Sequence, residues 1–113
     1  MNKIEHIGIA VKSLEQGNDL YTKLLGEMPY KFEEVESEKV ITSFFKNGPN
    51  KIELLAATDD SSAIAKFIEK KGEGIHHIAF AVDNIYEEME RLQHAGFQLL
   101  STSPKRGADN KLV

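Results

Sequence analysis

Two histidines seventy-one residues apart, His6 and His77, stand at the same point of two near-identical phrases, IEHIGIAV at 4–11 and IHHIAFAV at 75–82. A third polar residue, Glu53, interrupts the apolar run KIELLA at 51–56. Side chains alternate along a strand, so Ile4, His6, Gly8 and Ala10 share one face, with Ile7, Ile9 and Val11 on the other. The second phrase repeats this, setting Ile75, His77, Ala79 and Ala81 against Ile78, Phe80 and Val82. Beyond each histidine its face carries only glycine and alanine, leaving volume that a core built for packing alone would fill. A carboxylate among apolar strand residues is costly unless paired or bound to a cation. Two neutral imidazoles and one carboxylate suit a divalent ion such as zinc, cobalt, manganese or nickel. Each residue alone has an ordinary alternative. Either histidine suits a hydrogen-bonded strand position, and Glu53 could pair with Lys51 on a solvated face. His76 falls on the face opposite His77 and reads as structural or exposed, and His94 reads as surface. The joint pattern is what points to a metal.

The elements that must hold these residues recur as well. KSLEQGNDLYTKLLG follows the first phrase and DNIYEEMERLQHAG the second, each reading as a turn and an amphipathic helix. Leu14, Leu20 and Leu24 mark the apolar stripe of one, and Ile85, Met89 and Leu92 that of the other. Gly26 and Gly96 stand where left-handed caps end helices. The bulky strand residues are expected to pack beneath these helices. Residues 40–46 and 51–56 read as strands joined by the turn NGPN, and YKFEEVESE as a charged connection or short edge strand. Residues 58–74 form a linker whose helix carries Ile64, Phe67 and Ile68, with N-cap candidates at 59–62 and stop signals at Gly72 and Gly74.

The chain therefore reads as one α+β domain over 1–113: a β-α-β-β module at 1–57, the linker helix at 58–74, and a second module at 75–113. Lys111-Leu112-Val113 matches the start of VITSFF, so the second module reads as incomplete. The partner of Glu53 is expected seventy-one residues further on, near position 124, and residues 1–113 alone are expected to bind metal weakly and turn over little.

A net charge of −4 argues against nucleic acid as the main partner, because neutralising phosphates needs a basic face. No apolar run approaches the roughly 20 residues of a membrane span, so no membrane partner is expected. MNKIEHIGIAV lacks a secretory pattern, and the expected compartment is the cytoplasm. With no cysteine, disulfides and thiolate metal sites are excluded.

With His6, Glu53 and His77 placed, the chain resembles the vicinal oxygen chelate superfamily, and within it the methylmalonyl-CoA epimerases. The stretches that carry the likeness are KIEHIGIAVKSLE, KIELLAATDDSSAIAKFIEKKGEGIHHIAFAVDNI and SPKRGADNKLV. The resemblance implies paired βαβββ modules in a cupped mixed sheet around one divalent ion (cobalt, manganese, zinc, nickel or magnesium). It also implies His6, Glu53 and His77 as ligands, an acyl-CoA substrate and a homodimer. The implied reaction interconverts (R)- and (S)-methylmalonyl-CoA by removing and returning the α-proton through a metal-stabilised enolate. In the family a glutamate on the last strand completes the ligand set and serves in proton transfer, and it would lie beyond Val113. Thr42 stands where some members carry a second catalytic carboxylate, and a threonine cannot do that work. Lys105 and Arg106 could meet the CoA phosphates. Glyoxalase I (lactoylglutathione lyase) has a ligand set that fits equally well, and a metal-free binding protein of the same fold is a further alternative.

Overall fold

The computed structural model describes residues 1–108 and 111–113. The strands are β1 (Lys3–Ala10), β2 (Lys31–Val35), β3 (Val40–Asn47), β4 (Asn50–Ala57) and β5 (Gly74–Ala81). The helices are α1 (Leu14–Leu25), α2 (Ala63–Lys71) and α3 (Ile85–His94), with a 3-10 turn at Glu36–Glu38. One open mixed sheet runs in the order β2-β3-β4-β1-β5. β1 is parallel to β4 and antiparallel to β5, so the two histidine strands lie side by side. YKFEEVESE supplies an edge strand, β2, paired with β3 from Lys31↔Phe44 to Val35↔Val40. NGPN closes the β3–β4 hairpin with Asn47 opposite Asn50 and Gly48 at φ 65°, a left-handed conformation that glycine adopts without steric cost.

Each face of the sheet has its own core. On one, Val11, Phe45, Leu54 and Ala56 pack with Ile9, Ile41 and Ile52 against Leu14, Tyr21 and Leu25 of α1. On the other, Ala10, Val40 and Leu55 meet Ile64, Phe67 and Ile68 of α2. Phe44, Phe45 and Leu54 are essentially sealed from water, worth roughly 1.5–3 kcal/mol each. The linker helix matches expectation: Ser62 accepts a hydrogen bond from the Ile64 amide and Gly72 ends the helix. Ser13 and Gly26 cap α1 in the same manner.

Two expectations are corrected. The stripe of α1 is Leu14, Gly17, Tyr21 and Leu25, whereas Leu20 and Leu24 are exposed. Six residues from Leu14 carry Leu20 about 120° off that stripe at 100° per residue. The side-chain-free Gly17 lets the helix settle on Leu54, whose Cδ1 would lie 3.1 Å from an added Cβ. Nor do the bulky residues of β5 lie beneath a helix. Ile78 and Phe80 are about half exposed, and α3 buries no residue. β5 is the last strand of the sheet, so the floor available to α3 is a single strand wide. In the second module Lys111-Leu112-Val113 does begin a pairing, with Leu112 bridged to Arg106.

Candidate metal centre

Three strands bring the candidate residues into one row. Gly8 of β1 is opposite Glu53 of β4 on one side and His77 of β5 on the other. The missing side chain at Gly8 is what lets the row close, because a Cβ there would overlap the His77 imidazole. The space that the sequence left beside the histidine is thus filled by the histidine of the other copy. His6, two residues from Gly8 along β1, contacts both of the others. Its Nδ1 is 3.2 Å from Glu53 Oε2 and its Nε2 is 3.0 Å from His77 Nε2. The two imidazole rings meet edge to face with centroids 5.1 Å apart. His6 thus contacts both other members of the expected trio, Glu53 through Nδ1 and His77 through Nε2.

Two residues that simple alternation hides join it. Between Ile4↔Phe80 and His6↔Ala79 the register slips by one residue on β1, leaving Glu5 as a bulge. Between Gly8↔His77 and Ile9↔Ile75 it slips on β5, leaving His76 as a bulge. A bulge breaks the two-residue period, so each extra side chain turns to the same side as the histidine after it. Glu5 Oε1 is 2.9 Å from His6 Nδ1, and His76 Nδ1 is 3.0 Å from His77 Nδ1. The expectation that His76 lies on the far face is therefore wrong, since it touches His77 and lines the same cavity. The signal available in the sequence was the matched doublet, Glu5-His6 and His76-His77, with a polar residue at the same repeat position in both copies.

These residues wall a cavity of about 840 Å³. Thr42, Leu55 and Ile64 line it too, as do Lys105 and Arg106. Lys105 Nζ is 3.2 Å from Glu38 Oε1, so that charge is already partnered. Thr42 Oγ1 is fully buried and meets no hydrogen-bond partner among the described groups.

Burial pushes the His77 pKa down to about 4, and the charges that His6 and His76 would carry add to the effect. His77 is therefore neutral at pH 7, the form in which imidazole binds metals. Burial acts to raise the Glu5 pKa, but hydrogen bonds from His6 and Lys51 and their charges outweigh it and hold the carboxyl below its ordinary value. Glu53 is 3% exposed. Buried carboxylate and neutral imidazole fit a divalent cation. Glu5, His6 and Glu53 present donor atoms that all lie within 4.8 Å of one another, and His77 joins through His6 Nε2.

Fold and site together define a class. The chain belongs to the Glyoxalase/Bleomycin resistance protein/Dioxygenase superfamily, whose family model matches residues 5–113. Over its whole length it is 38% identical to the uncharacterised Bacillus subtilis protein YqjC, of which it spans 81%. It is also 38% identical to an ethylmalonyl-CoA/methylmalonyl-CoA epimerase of Cereibacter sphaeroides, spanning 86% of that protein. Among solved structures, a variant of Streptomyces coelicolor methylmalonyl-CoA epimerase in complex with 2-nitronate-propionyl-CoA superposes with a TM-score of 0.93 at 29% identity. That match covers 99% of this chain and 84% of the other. Among the described residues no helix is long and apolar enough to cross a membrane.

Proposed function

We propose that this protein is a divalent-metal-dependent epimerase that interconverts the two configurations of methylmalonyl-CoA. The observation that carries the reading is the meeting of His6, Glu53 and His77, drawn from three strands and both repeats, on the wall of one cavity. The kinship with epimerases, one solved in complex with methylmalonyl-CoA, supports the choice of substrate.

His6, Glu53 and His77 would hold the cation. Bound there, it would supply positive charge to the oxygen of a thioester carbonyl as the α-proton leaves, the role of a Lewis acid. The chain's own residues bind and orient the substrate. Neutral His77 keeps a lone pair available at pH 7. Small residues on the cavity wall, Ala79 and Ala81, leave room for a short branched acyl group. Thr42 offers a hydroxyl, not a carboxylate, so it can hydrogen-bond an acyl oxygen but cannot act as a base. Lys105 and Arg106 on the cavity wall would meet the CoA phosphates, and exchange of the Glu38 partner for phosphate would bring Lys105 into that role. A homodimer belongs to the same reading.

The test is α-proton exchange in heavy water. Methylmalonyl-CoA should gain deuterium at C2, slowly with residues 1–113 alone, in the presence of Co(II) or Mn(II), and chelation by EDTA should abolish the exchange. Conversion of the methylglyoxal–glutathione adduct without any exchange at methylmalonyl-CoA would overturn the reading in favour of a glyoxalase.

A further inference from the structure

The two bulges do the same thing in both copies. Glu5 precedes His6 and His76 precedes His77, and each preceding residue takes the Nδ1 nitrogen of its neighbour, at 2.9 and 3.0 Å. The remaining nitrogens, Nε2 of each ring, face each other at 3.0 Å. We propose that Glu5 and His76 are positioning residues: they engage Nδ1 of His6 and His77 so that both Nε2 lone pairs are turned to one cation. The inference rests on the metal reading above and assigns these two residues a role outside the ligand set.

Glu5 lies near the donors, and its second oxygen decides between ligand and support. Glu5 Oε2 is 3.1 Å from Lys51 Nζ while Oε1 holds His6 Nδ1, so both oxygens already have partners. Lys51 and His6 together clamp this carboxylate. His76 is held from its other side by Phe67 of α2, their rings meeting edge to face at 4.9 Å. A histidine–metal ligand whose second nitrogen is fixed in this way binds with the correct tautomer, and loss of such a partner costs typically about 10–100-fold in affinity.

The two supports differ in chemistry, and the difference matters. An ionised carboxylate only accepts, so Glu5 at 2.9 Å, with Glu53 at 3.2 Å beside it, keeps the His6 proton on Nδ1 with or without a cation. Without a cation, His6 Nε2 then accepts a hydrogen bond from His77 Nε2–H, and His77 Nδ1 accepts one from His76 Nδ1–H. With a cation, His77 must present a bare Nε2. Its proton then resides on Nδ1 and is donated to His76, whose own proton shifts from Nδ1 to Nε2. Each ring carries one proton before and after. Neutral imidazole can be donor or acceptor at either nitrogen, so His76 can follow this change where a carboxylate could not take the donor's part. One side of the site is fixed and the other adapts.

Long-range proton–nitrogen NMR spectra report imidazole tautomers directly. Metal-free protein should show His6 protonated at Nδ1 and His77 at Nε2; saturating Zn(II) should move only the His77 proton, to Nδ1. By calorimetry, Glu5→Leu and His76→Leu should each weaken Zn(II) about 10–100-fold, with circular dichroism unchanged. Glu5→Gln and His76→Asn, which keep an acceptor in place, should restore most of the affinity and the tautomers. Leucine variants that bind Zn(II) as the unaltered chain does, with unchanged tautomers, would overturn this inference and leave the metal reading standing. Glu5→Gln as weak as Glu5→Leu would make Glu5 a ligand and overturn its positioning role. An unaltered chain that binds no Zn(II) would overturn the metal reading and the His77 switch with it. In metal-free Glu5→Leu, a His6 proton that leaves Nδ1 supports the role of Glu5, and one that stays there assigns it to Glu53 and overturns that role.

Discussion

β1 and β5 share their sequence, their bulge and their histidine, yet the helices after them behave differently. α1 lies on a floor of three strands and encloses Phe45 and Leu54, while α3 follows the last strand of the sheet and leaves Ile85, Met89 and Leu92 only partly buried. Both helices are amphipathic, capped and of similar length. Amphipathicity therefore prepares a helix for burial, and the width of the sheet beneath it decides whether burial occurs. The histidine row draws on β4, β1 and β5, so it forms where the cover above β5 is thin.

The largest break in this comparison is expected from Phe45→Ala against Phe80→Ala. The first empties a sealed core position and should cost about 3–5 kcal/mol in urea unfolding. The second trims a half-exposed ring and should cost less than about 1 kcal/mol. Equal losses would mean that β5 is as well covered in solution as the strands beneath α1. Next comes the exchange of small residues, Gly8→Ala against Ala79→Gly. An added methyl on Gly8 displaces the His77 ring and should cost about 1–3 kcal/mol together with Zn(II) affinity. Removing the one on Ala79 should cost about 0.5–1 kcal/mol and spare the metal. Similar metal affinity in both variants would show that the His77 ring has other places to sit.

Acid should expose the same asymmetry. The His77 pKa falls from an ordinary 6.5 to about 4 on folding, so between those values the unfolded chain takes up a proton that the folded chain refuses. Stability from this ring is thus full above pH 6.5 and declines as pH drops toward 4. Glu5, depressed below its ordinary 4.5, adds a loss only at lower pH still. Thermal melts of metal-free protein should fall across the upper window, and His77→Gln should flatten that slope. A His77→Gln profile parallel to the original would assign the slope to other groups. The smallest effects belong to the caps. Ser13→Ala should lower global stability by about 1 kcal/mol, whereas Asn84→Ala should mainly speed amide exchange within α3, whose opening exposes no core. A global loss from Asn84→Ala as large as that from Ser13→Ala would contradict the picture of α3 as uncovered.

Much of the centre was legible because duplication wrote it twice. The repeat located His6 and His77, and an acid inside an apolar strand located Glu53. Glu5 and His76 were not legible from alternation, because a bulge belongs to the pairing of two strands and leaves no mark on the period of either one. The stripe of α1 was misread for a related reason. Leu20 and Leu24 are the more apolar residues, but Gly17 and Tyr21 face the sheet, and the glycine is there for closeness. The exposure of β5 depends on how many strands lie beside it, which local composition does not state.

The extra residue at the same place in β1 and β5 also bears on how such a centre arises. Two identical half-length chains related by a two-fold axis, each carrying one bulge and one imidazole, would already point matching nitrogens at a common spot. Fusion of the halves then frees each side to vary alone. An acid beside one ring and a second imidazole beside the other is an asymmetry that no symmetric pair of chains could hold.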